Sequence, residues 1–177
     1  YLGEVINHQW SKSEEFESLF KKYVRKYITN SVSYFSPLRN MSELEVMKEF
    51  VKYPRYFKVF SSCNRNFKIG NLHLGGVVKR HLRGDRMGSS EVWGRWCNKC
   101  PKCLFVFTLL AAFLSKEKVL DIFGKNLFED RSLLKIFKEL LGLENFKPFE
   151  CVGTPEEMRL ALHLASKKGE FNNDFLM

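Results

Sequence analysis

The sequence predicts a mainly α-helical chain with a zinc knuckle. Apolar residues recur at steps of three and four along much of the chain, which is the spacing of helices with one buried face. Three of the five cysteines lie at steps of three in the stretch WCNKCPKC, residues 96–103. At 177 residues and 45% hydrophobic, the chain is long enough for one domain with a core, or for most of a larger one.

Two helices are predicted before Pro54. Residues 11–28 form one apolar stripe, and Ser11 is the expected N-cap. A second helix begins at Ser42 and must stop before Pro54, because proline cannot continue a helix. Residues 55–63, RYFKVFSSC, then predict a short extended segment or a turn.

A third helix is expected to start at Pro101, since proline suits the first helical position. It contains the apolar run LFVFTLLAAFL, residues 104–114, which is well short of the roughly 20 residues that a membrane span needs. We therefore expect this helix to be buried at the centre of the fold. We expect no membrane partner. Cap residues and terminal glycines predict three further helices, over 115–124, 130–142 and 154–169.

The charge and the cysteines restrict the class of protein. A formal charge of +9 favours anionic partners such as nucleic acid, nucleotides or a phosphorylated and carboxylated small molecule. No secretory signal pattern is visible in the sequence. An odd number of tightly clustered cysteines argues against a disulfide framework, so we expect a reducing, cytoplasmic location.

The cysteine cluster predicts a metal site. Cys97, Cys100 and Cys103 leave a turn and enter a helix, where steps of three bring thiolates close enough to share one ion. Cys63 is the first candidate for a fourth ligand because it also lies beside a polar turn. Cys151, His73 and His81 are the remaining candidates for that position. Zinc is the expected metal, and an iron–sulfur cluster is the alternative. We expect a structural role, because four protein ligands leave zinc no coordination position for a reacting water.

Several sequence stretches point to a known family. A cysteine followed at a distance by C-x2-C-x2-C resembles the zinc site of 7-cyano-7-deazaguanine synthases, in the PP-loop ATP pyrophosphatase group. The stretches INHQWSKSEEFE, YFSPLRNMSELEVMKEF, FSSCNRNFK, WCNKCPKCLFVFTLLAAFL and FECVGTPEE resemble the UDP-N-acetylmuramoyl-L-alanyl-L-glutamate epimerase family. The resemblance covers most of residues 4–168 and corresponds to the C-terminal part of such an enzyme.

The resemblance implies an architecture for the whole enzyme. It would have an α/β PP-loop fold, of the adenine nucleotide alpha hydrolase-like type. Residues 1–168 would be its single helical, zinc-containing C-terminal region, followed by a flexible tail at 169–177. The phosphate-binding S-G-G-x-D-S loop of the group is absent from the sequence, so the implied partner is a nucleotide-binding N-terminal half. Between Cys63 and Cys97 lie 33 residues, and we expect residues 69–95 to be a loop insertion.

The resemblance also implies a reaction. The family consumes ATP, with Mg²⁺, to adenylate the glutamyl α-carboxylate of UDP-MurNAc-L-Ala-L-Glu in peptidoglycan precursor synthesis. The acyl-adenylate acidifies the adjacent C–H, a base removes that proton, an acid returns one to the opposite face, and water releases AMP. Without the phosphate loop, we expect this chain alone to be inactive.

Candidate site residues follow from local chemistry. Cys151 precedes a helix N-terminus, a position that favours a reactive thiolate, although a small buried hydrophobe is the simpler role. His8 is the competing proton carrier. Lys and Arg must collect the charges of an anionic substrate, although caps and structural hydrogen bonds are alternative roles for the polar residues. The candidate substrate-binding residues are Asn7, Gln9, Trp10, Lys12, Arg39, Asn64 and Arg65.

A second function class is a zinc-knuckle module that binds nucleic acid or modifies RNA. It is suggested by the positive charge and by the basic residues Lys79, Arg80, Arg83 and Arg86. The dominance of helices and the placement of aromatic residues on apolar stripes weaken it. We therefore do not expect nucleic acid as the main partner.

Overall fold

The computed structural model describes residues 10–63, 65, 96–144, 148 and 150–177. Within these ranges the α-helices are α1 (Glu14–Tyr27), α2 (Glu43–Phe50), α3 (Pro101–Phe113), α4 (Lys116–Phe123), α5 (Leu134–Leu140) and α6 (Pro155–Lys168). The described residues contain no β-strand, which confirms the mainly helical prediction. The chain divides into two compact units, Tyr1–Met41 and Ser42–Met177, where the sequence predicts a single region.

The first unit is built on α1. Ser13 caps this helix, because its Oγ accepts a hydrogen bond from the backbone N–H of Phe16 at 3.1 Å. The prediction that Ser11 is the cap is therefore wrong: Trp10–Lys12 form a 3₁₀ turn that takes up Ser11 before the α-helix begins.

A carboxylate holds the first unit together. Glu17 is 7% exposed and accepts hydrogen bonds from Lys21 Nζ at 2.7 Å, Arg39 Nη2 at 2.7 Å and the Ser36 backbone N–H at 3.1 Å. These contacts, first the one with Lys21 and then the one with Arg39, lower the pKa of Glu17 to about 2. The residues that follow α1 are thereby fixed to its surface.

The second unit has α3 at its centre, as the apolar run predicts. All residues from Cys103 to Ala112 are buried, and α3 packs against α2, α4, α5 and α6. The Phe107 ring is fully buried among three other rings, with ring centroids at 5.1, 4.9 and 6.0 Å from Phe123, Phe128 and Phe171. Edge-to-face contacts of this kind add to the stability gained from apolar burial.

Most predicted helix boundaries in the second unit are confirmed. A capping box forms between Ser42 and Glu45, α4 follows Ser115 and ends at Gly124 in the left-handed region, and α6 ends at Gly169. In the segment predicted as extended or a turn, the short 3₁₀ helix Pro54–Tyr56 is followed by a turn at 57–59, and residues 60–63 have no regular secondary structure. A 3₁₀ turn capped by Asp130 precedes α5.

The start of α6 is connected to α2 through one carboxylate. Thr154 is the N-cap, as predicted, and it forms a capping box with Glu157, whose Oε1 also accepts from the backbone N–H of Glu43 at 2.7 Å. Gly153 makes room for this arrangement, since a Cβ there would lie 2.3 Å from Glu157 Oε2 and 2.6 Å from the Phe105 ring. Any larger residue would have to displace both groups.

The tail differs from the sequence-based expectation of flexibility. Phe171 is fully buried, and the Leu176 backbone N–H donates to the Phe128 carbonyl at 2.9 Å. Asp174 accepts hydrogen bonds from Lys116 Nζ at 2.7 Å and Asn126 Nδ2 at 2.8 Å. These contacts fix residues 171–176 to the core, although the segment is too short to show a helical period.

Membrane-spanning helices are not found among the described residues: no helix there is long and apolar enough to cross a bilayer. The longest, α1 and α6, have 14 residues each.

Candidate metal centre

Four cysteines converge in the second unit. Cys63 comes from the segment after α2, Cys97 and Cys100 from a turn, and Cys103 from the first turn of α3. Their Sγ atoms all lie within 4.8 Å of one another. The Cys97–Cys103 Sγ distance is 3.7 Å and the Cys100–Cys103 distance is 3.5 Å.

The turn between Cys97 and Cys100 depends on an unusual backbone conformation. Asn98 has φ +55°, in the left-handed region that asparagine tolerates better than most residues. Its Nδ2 donates to the Phe123 carbonyl at 2.9 Å, which attaches the turn to α4. Pro101 then opens α3 at the first helical position, so the turn ends abruptly and Cys103 lies beside Cys100.

Cys63 is the fourth member of the cluster, as the sequence predicts. It is fully buried, and its Sγ accepts a hydrogen bond from the Cys97 backbone N–H at 3.4 Å. Amide-to-sulfur bonds of this type stabilise negative charge on sulfur. Cys151 is outside the cluster. His73 and His81, which compete with Cys63 for this position on sequence grounds, lie outside the described residues.

The electrostatics of the cluster suit a cation. The sulfur–sulfur hydrogen bond with Cys103 lowers the pKa of Cys100 to about 5, and the same contact raises the pKa of Cys103. Burial raises the pKa of Cys97 to about 11. Among thiols alone, negative charge therefore concentrates on one sulfur, whereas a bound divalent cation would stabilise several thiolates together.

The geometry fits a single tetrahedral ion. A Zn–S bond of about 2.3 Å places neighbouring thiolates about 3.8 Å apart, close to the observed 3.5 and 3.7 Å. Three of the four cysteines are fully buried, so an ion bound by all four would be shielded from solvent. The donor set leaves no position for a reacting water, which is typical of a structural site.

Two candidate substrate-binding residues of the first unit, Trp10 and Arg39, make contacts within that unit. Trp10 packs edge-on against Phe16, and its Nε1 donates to Glu15 at 2.9 Å. Arg39 pairs with Glu17 and donates to the Lys12 carbonyl. For Arg39 the structure therefore favours the structural role that the sequence left open.

Other predicted residues lie in the second unit or outside the description. Cys151 is half-buried ahead of α6, and its carbonyl accepts a hydrogen bond from Lys102 Nζ. Arg65 is exposed. Outside the described residues lie Asn7, His8, Gln9, Asn64, Lys79, Arg80, Arg83 and Arg86, with the expected insertion at 69–95.

A groove beside the metal centre was not predicted from the sequence. It has a volume of about 200 Å³ and runs between α2 and α3. Apolar side chains form most of it, and Lys102 and Glu43 provide charges of opposite sign. The lining residues are Glu43, Val46, Met47, Phe50, Phe60, Ser62, Lys102, Phe105, Val106 and Leu109. Its walls come from α2, the segment after α2 and α3, so no local sequence pattern indicates the groove.

Comparison with known proteins identifies the family. Residues 59–177 match the model of the MurL C-terminal domain, and residues 1–37 match that of the MurL N-terminal domain. The chain therefore matches stretches of both family domains, where the resemblance implied the C-terminal region alone. No solved structure matches the chain.

Curated relatives carry one name, UDP-N-acetyl-alpha-D-muramoyl-L-alanyl-L-glutamate epimerase. The chain is 41% identical to the Xanthomonas oryzae pv. oryzae protein over 97% of its own length, and 38% identical to a Micromonospora protein over 97%. It is 39% identical to the Salinispora tropica protein over 94%. These matches cover 34%, 34% and 32% of the relatives, so the chain spans about a third of their length. The chain belongs to the MurL epimerase family.

Proposed function

We propose that this chain forms part of an ATP-dependent epimerase that converts the terminal L-glutamate of UDP-MurNAc-L-Ala-L-Glu to D-glutamate, in peptidoglycan precursor synthesis. The observation that carries the proposal is the identity of 38–41%, over 94–97% of the chain, with relatives named for an epimerase of this substrate. The zinc-knuckle nucleic-acid module gains no comparable support. Its basic residues lie outside the described part of the chain.

Inversion at the glutamyl α-carbon needs an acidified C–H. A free carboxylate resists deprotonation of its α-carbon, because the product would be a dianion. Adenylation removes this obstacle, so we assign ATP and Mg²⁺ to a PP-loop nucleotide-binding half elsewhere in the full-length protein. A base on one face then removes the proton and an acid on the other face returns one.

Cys151 and His8 are our candidates for proton transfer. Cys151 is half-buried in the second unit, three residues before the cap of α6, and its backbone is held by Lys102. A cysteine side chain can carry a proton to or from an activated α-carbon, so its chemistry suits this role. His8 stays a prediction from the sequence.

The substrate carries several negative charges, so cationic and polar groups must bind it. We propose contacts from Lys12 and Trp10 in the first unit and from Arg65 in the second. Asn7, Gln9 and Asn64 are further candidates from the sequence. Arg39, engaged by Glu17, instead positions the segment that follows α1.

We propose that the four cysteines bind one zinc ion in a structural role. In an iron–sulfur cluster the cysteine sulfur atoms bind different irons, so they lie farther apart than around a single ion. The observed sulfur–sulfur distances of 3.5 and 3.7 Å fit a single ion better. The ion would join the segment that ends at Cys63 to the start of α3. Buried thiolates stay reduced in the cytoplasm, where we place the protein.

A chimera tests the epimerase proposal. The matching third of the Xanthomonas relative is replaced by this chain, and purified chimera is incubated with UDP-MurNAc-L-Ala-L-Glu, ATP and Mg²⁺. We expect D-glutamate in the product and release of AMP and pyrophosphate. The 177-residue chain by itself should do neither. Turnover of ATP by the chain alone, or a folded chimera without epimerisation, would contradict the proposal.

A second variant tests Cys151 within the same chimera. If Cys151 transfers the proton, Cys151→Ala should slow exchange of the glutamyl α-proton with solvent by about 10²- to 10⁴-fold while adenylation stays measurable. Unchanged exchange would assign Cys151 to packing. The matched control is Ser115→Ala, which changes the residue before α4 in the same unit without removing a thiol.

A further inference from the structure

The first unit exposes an apolar ridge on α1. Leu19, Tyr23 and Tyr27 follow one another at steps of four, so they lie along one side of the helix. Their exposed fractions are 49%, 54% and 64%. The rings of Tyr23 and Tyr27 are adjacent, with centroids 5.1 Å apart. We call these three residues the α1 ridge.

The described segments of the first unit cover a neighbouring side of the same helix. Phe16 and Phe20 stack at 5.7 Å, and they are covered by Trp10 at one end and by Tyr34 at the other. The Glu17 network fixes the residues after α1 on that side. The α1 ridge is therefore apolar surface that the described part of the first unit leaves open.

The composition of the α1 ridge is typical of a protein interface. Tyrosine is enriched at interface centres because it buries a large area with few rotatable bonds. Two exposed basic residues, Lys22 and Lys26, flank the ridge, and Lys26 Nζ lies 5.0 Å from the centre of the Tyr27 ring. A surface that matches it would be apolar at its centre and acidic at its rim.

We propose that the α1 ridge is the surface on which the remainder of the family's N-terminal domain docks. Residues 1–37 match that domain, and the curated relatives are about three times as long as the match. The first unit has few buried residues of its own, namely Glu17 and Val24 within α1. The missing part of the domain would supply the core that this unit lacks.

Tyrosine nitration with tetranitromethane tests the docking. The 177-residue chain is compared with the chimera in which it replaces the matching third of the Xanthomonas relative. Tyr53 and Tyr56, exposed by 51% and 43% in the second unit, are internal controls. We expect Tyr23 and Tyr27 to react as fast as the controls in the chain and several-fold more slowly than the controls in the chimera.

Three results of this experiment would overturn the proposal. Equal reaction of all four tyrosines in the chimera would show that the ridge stays open. Protection of Tyr23 and Tyr27 from nitration in the 177-residue chain itself would show that the ridge is covered by this chain or by a second copy. Sedimentation at two protein concentrations distinguishes these two cases. A chimera that fails to fold also counts against docking, since the ridge is proposed to complete the domain.

A pair of variants gives an independent readout. Tyr23→Ser/Tyr27→Ser should lower the Tm of the chimera by several degrees and change that of the 177-residue chain by less than about 2 °C, because exposed side chains contribute little. The matched control, Lys22→Ser/Arg25→Ser, changes two exposed basic residues of the same helix and should affect the chimera less. An equal loss of Tm in chain and chimera would contradict docking. The inference rests on family membership, and neither readout requires zinc or epimerase activity.

Discussion

The two units are stabilised by different forces. In the second unit, ten consecutive residues of α3 are buried, and the cluster of four cysteines lies next to the first turn of this helix. In the first unit, α1 buries only Glu17 and Val24, and much of its apolar side is exposed. The second unit thus has its own core, whereas the first relies on one buried carboxylate and its partners. Substitutions should therefore act very differently in the two.

The largest effect is expected at the metal centre. Cys100→Ser removes one of four proposed ligands at the start of α3, and loss of a structural metal costs more than about 4 kcal/mol in the free energy of unfolding. Chemical unfolding followed by circular dichroism measures this loss. Cys151→Ser is the control, because this cysteine lies outside the cluster. Equal stability of the two variants would refute a structural role for the site.

A slightly smaller effect is expected in the aromatic core. Phe107→Ala leaves a cavity between Phe123, Phe128 and Phe171, which typically costs about 3–5 kcal/mol. Phe35→Ala, in the first unit, removes a ring that is 65% exposed and should change the unfolding free energy by less than about 0.5 kcal/mol. Similar losses for both substitutions would contradict the contrast between the units.

Capping at the start of α6 should have a moderate effect. Glu157 accepts hydrogen bonds from two backbone N–H groups, those of Glu43 and Thr154, at 2.7 and 2.8 Å. In Glu157→Gln only one oxygen remains as acceptor, so we expect a loss of about 1 kcal/mol in urea unfolding. Glu156→Gln, which affects a solvent-exposed pair with Arg159, should cost less. A larger loss for Glu156→Gln than for Glu157→Gln would contradict this role of Glu157.

The smallest effect on global unfolding is expected from the Glu17 network, because it lies in the unit with the smaller core. The lowered pKa of Glu17 means that the network stabilises the fold above the carboxyl's unfolded pKa. That contribution is lost as the pH falls through about 2. Arg39→Met removes one of the causes and should raise the pKa of Glu17, which NMR titration measures.

Arg25→Met is the control for this titration, because Arg25 is an exposed cation on the same helix. It should leave the pKa of Glu17 near 2. Hydrogen exchange adds a second readout: Arg39→Met should weaken amide protection in α1 and leave α3 unchanged. A Glu17 pKa that is the same in both variants would show that Arg39 does not support the network.

The sequence predicted features that depend on local chemistry. Pro101, Gly124 and the Thr154 N-cap determine helix ends through their own backbone preferences, so they could be recognised without a structure. The cysteine spacing located the metal centre, and Cys63 was identified because it also lies beside a polar turn. The family resemblance added the implied reaction.

Features that depend on distant contacts could not be predicted. The tail is fixed by Phe171 and Asp174, whose partners lie 43 or more residues away in the chain, and no local pattern reports such contacts. Ser13 replaces Ser11 as the cap because a 3₁₀ turn precedes α1, and both serines fit a cap by composition. The groove between α2 and α3 likewise arises from packing and not from a motif.

The most direct test of the central claim is the metal content of the purified chain, measured with its stability. Protein purified without chelator should contain one zinc per chain by elemental analysis and no iron. Cys63→Ser should bind less zinc and have a lower Tm, as should the wild-type chain after chelation. Absence of zinc from the wild-type chain, or a Tm that chelation leaves unchanged, would contradict the assignment of the four cysteines to a structural metal centre.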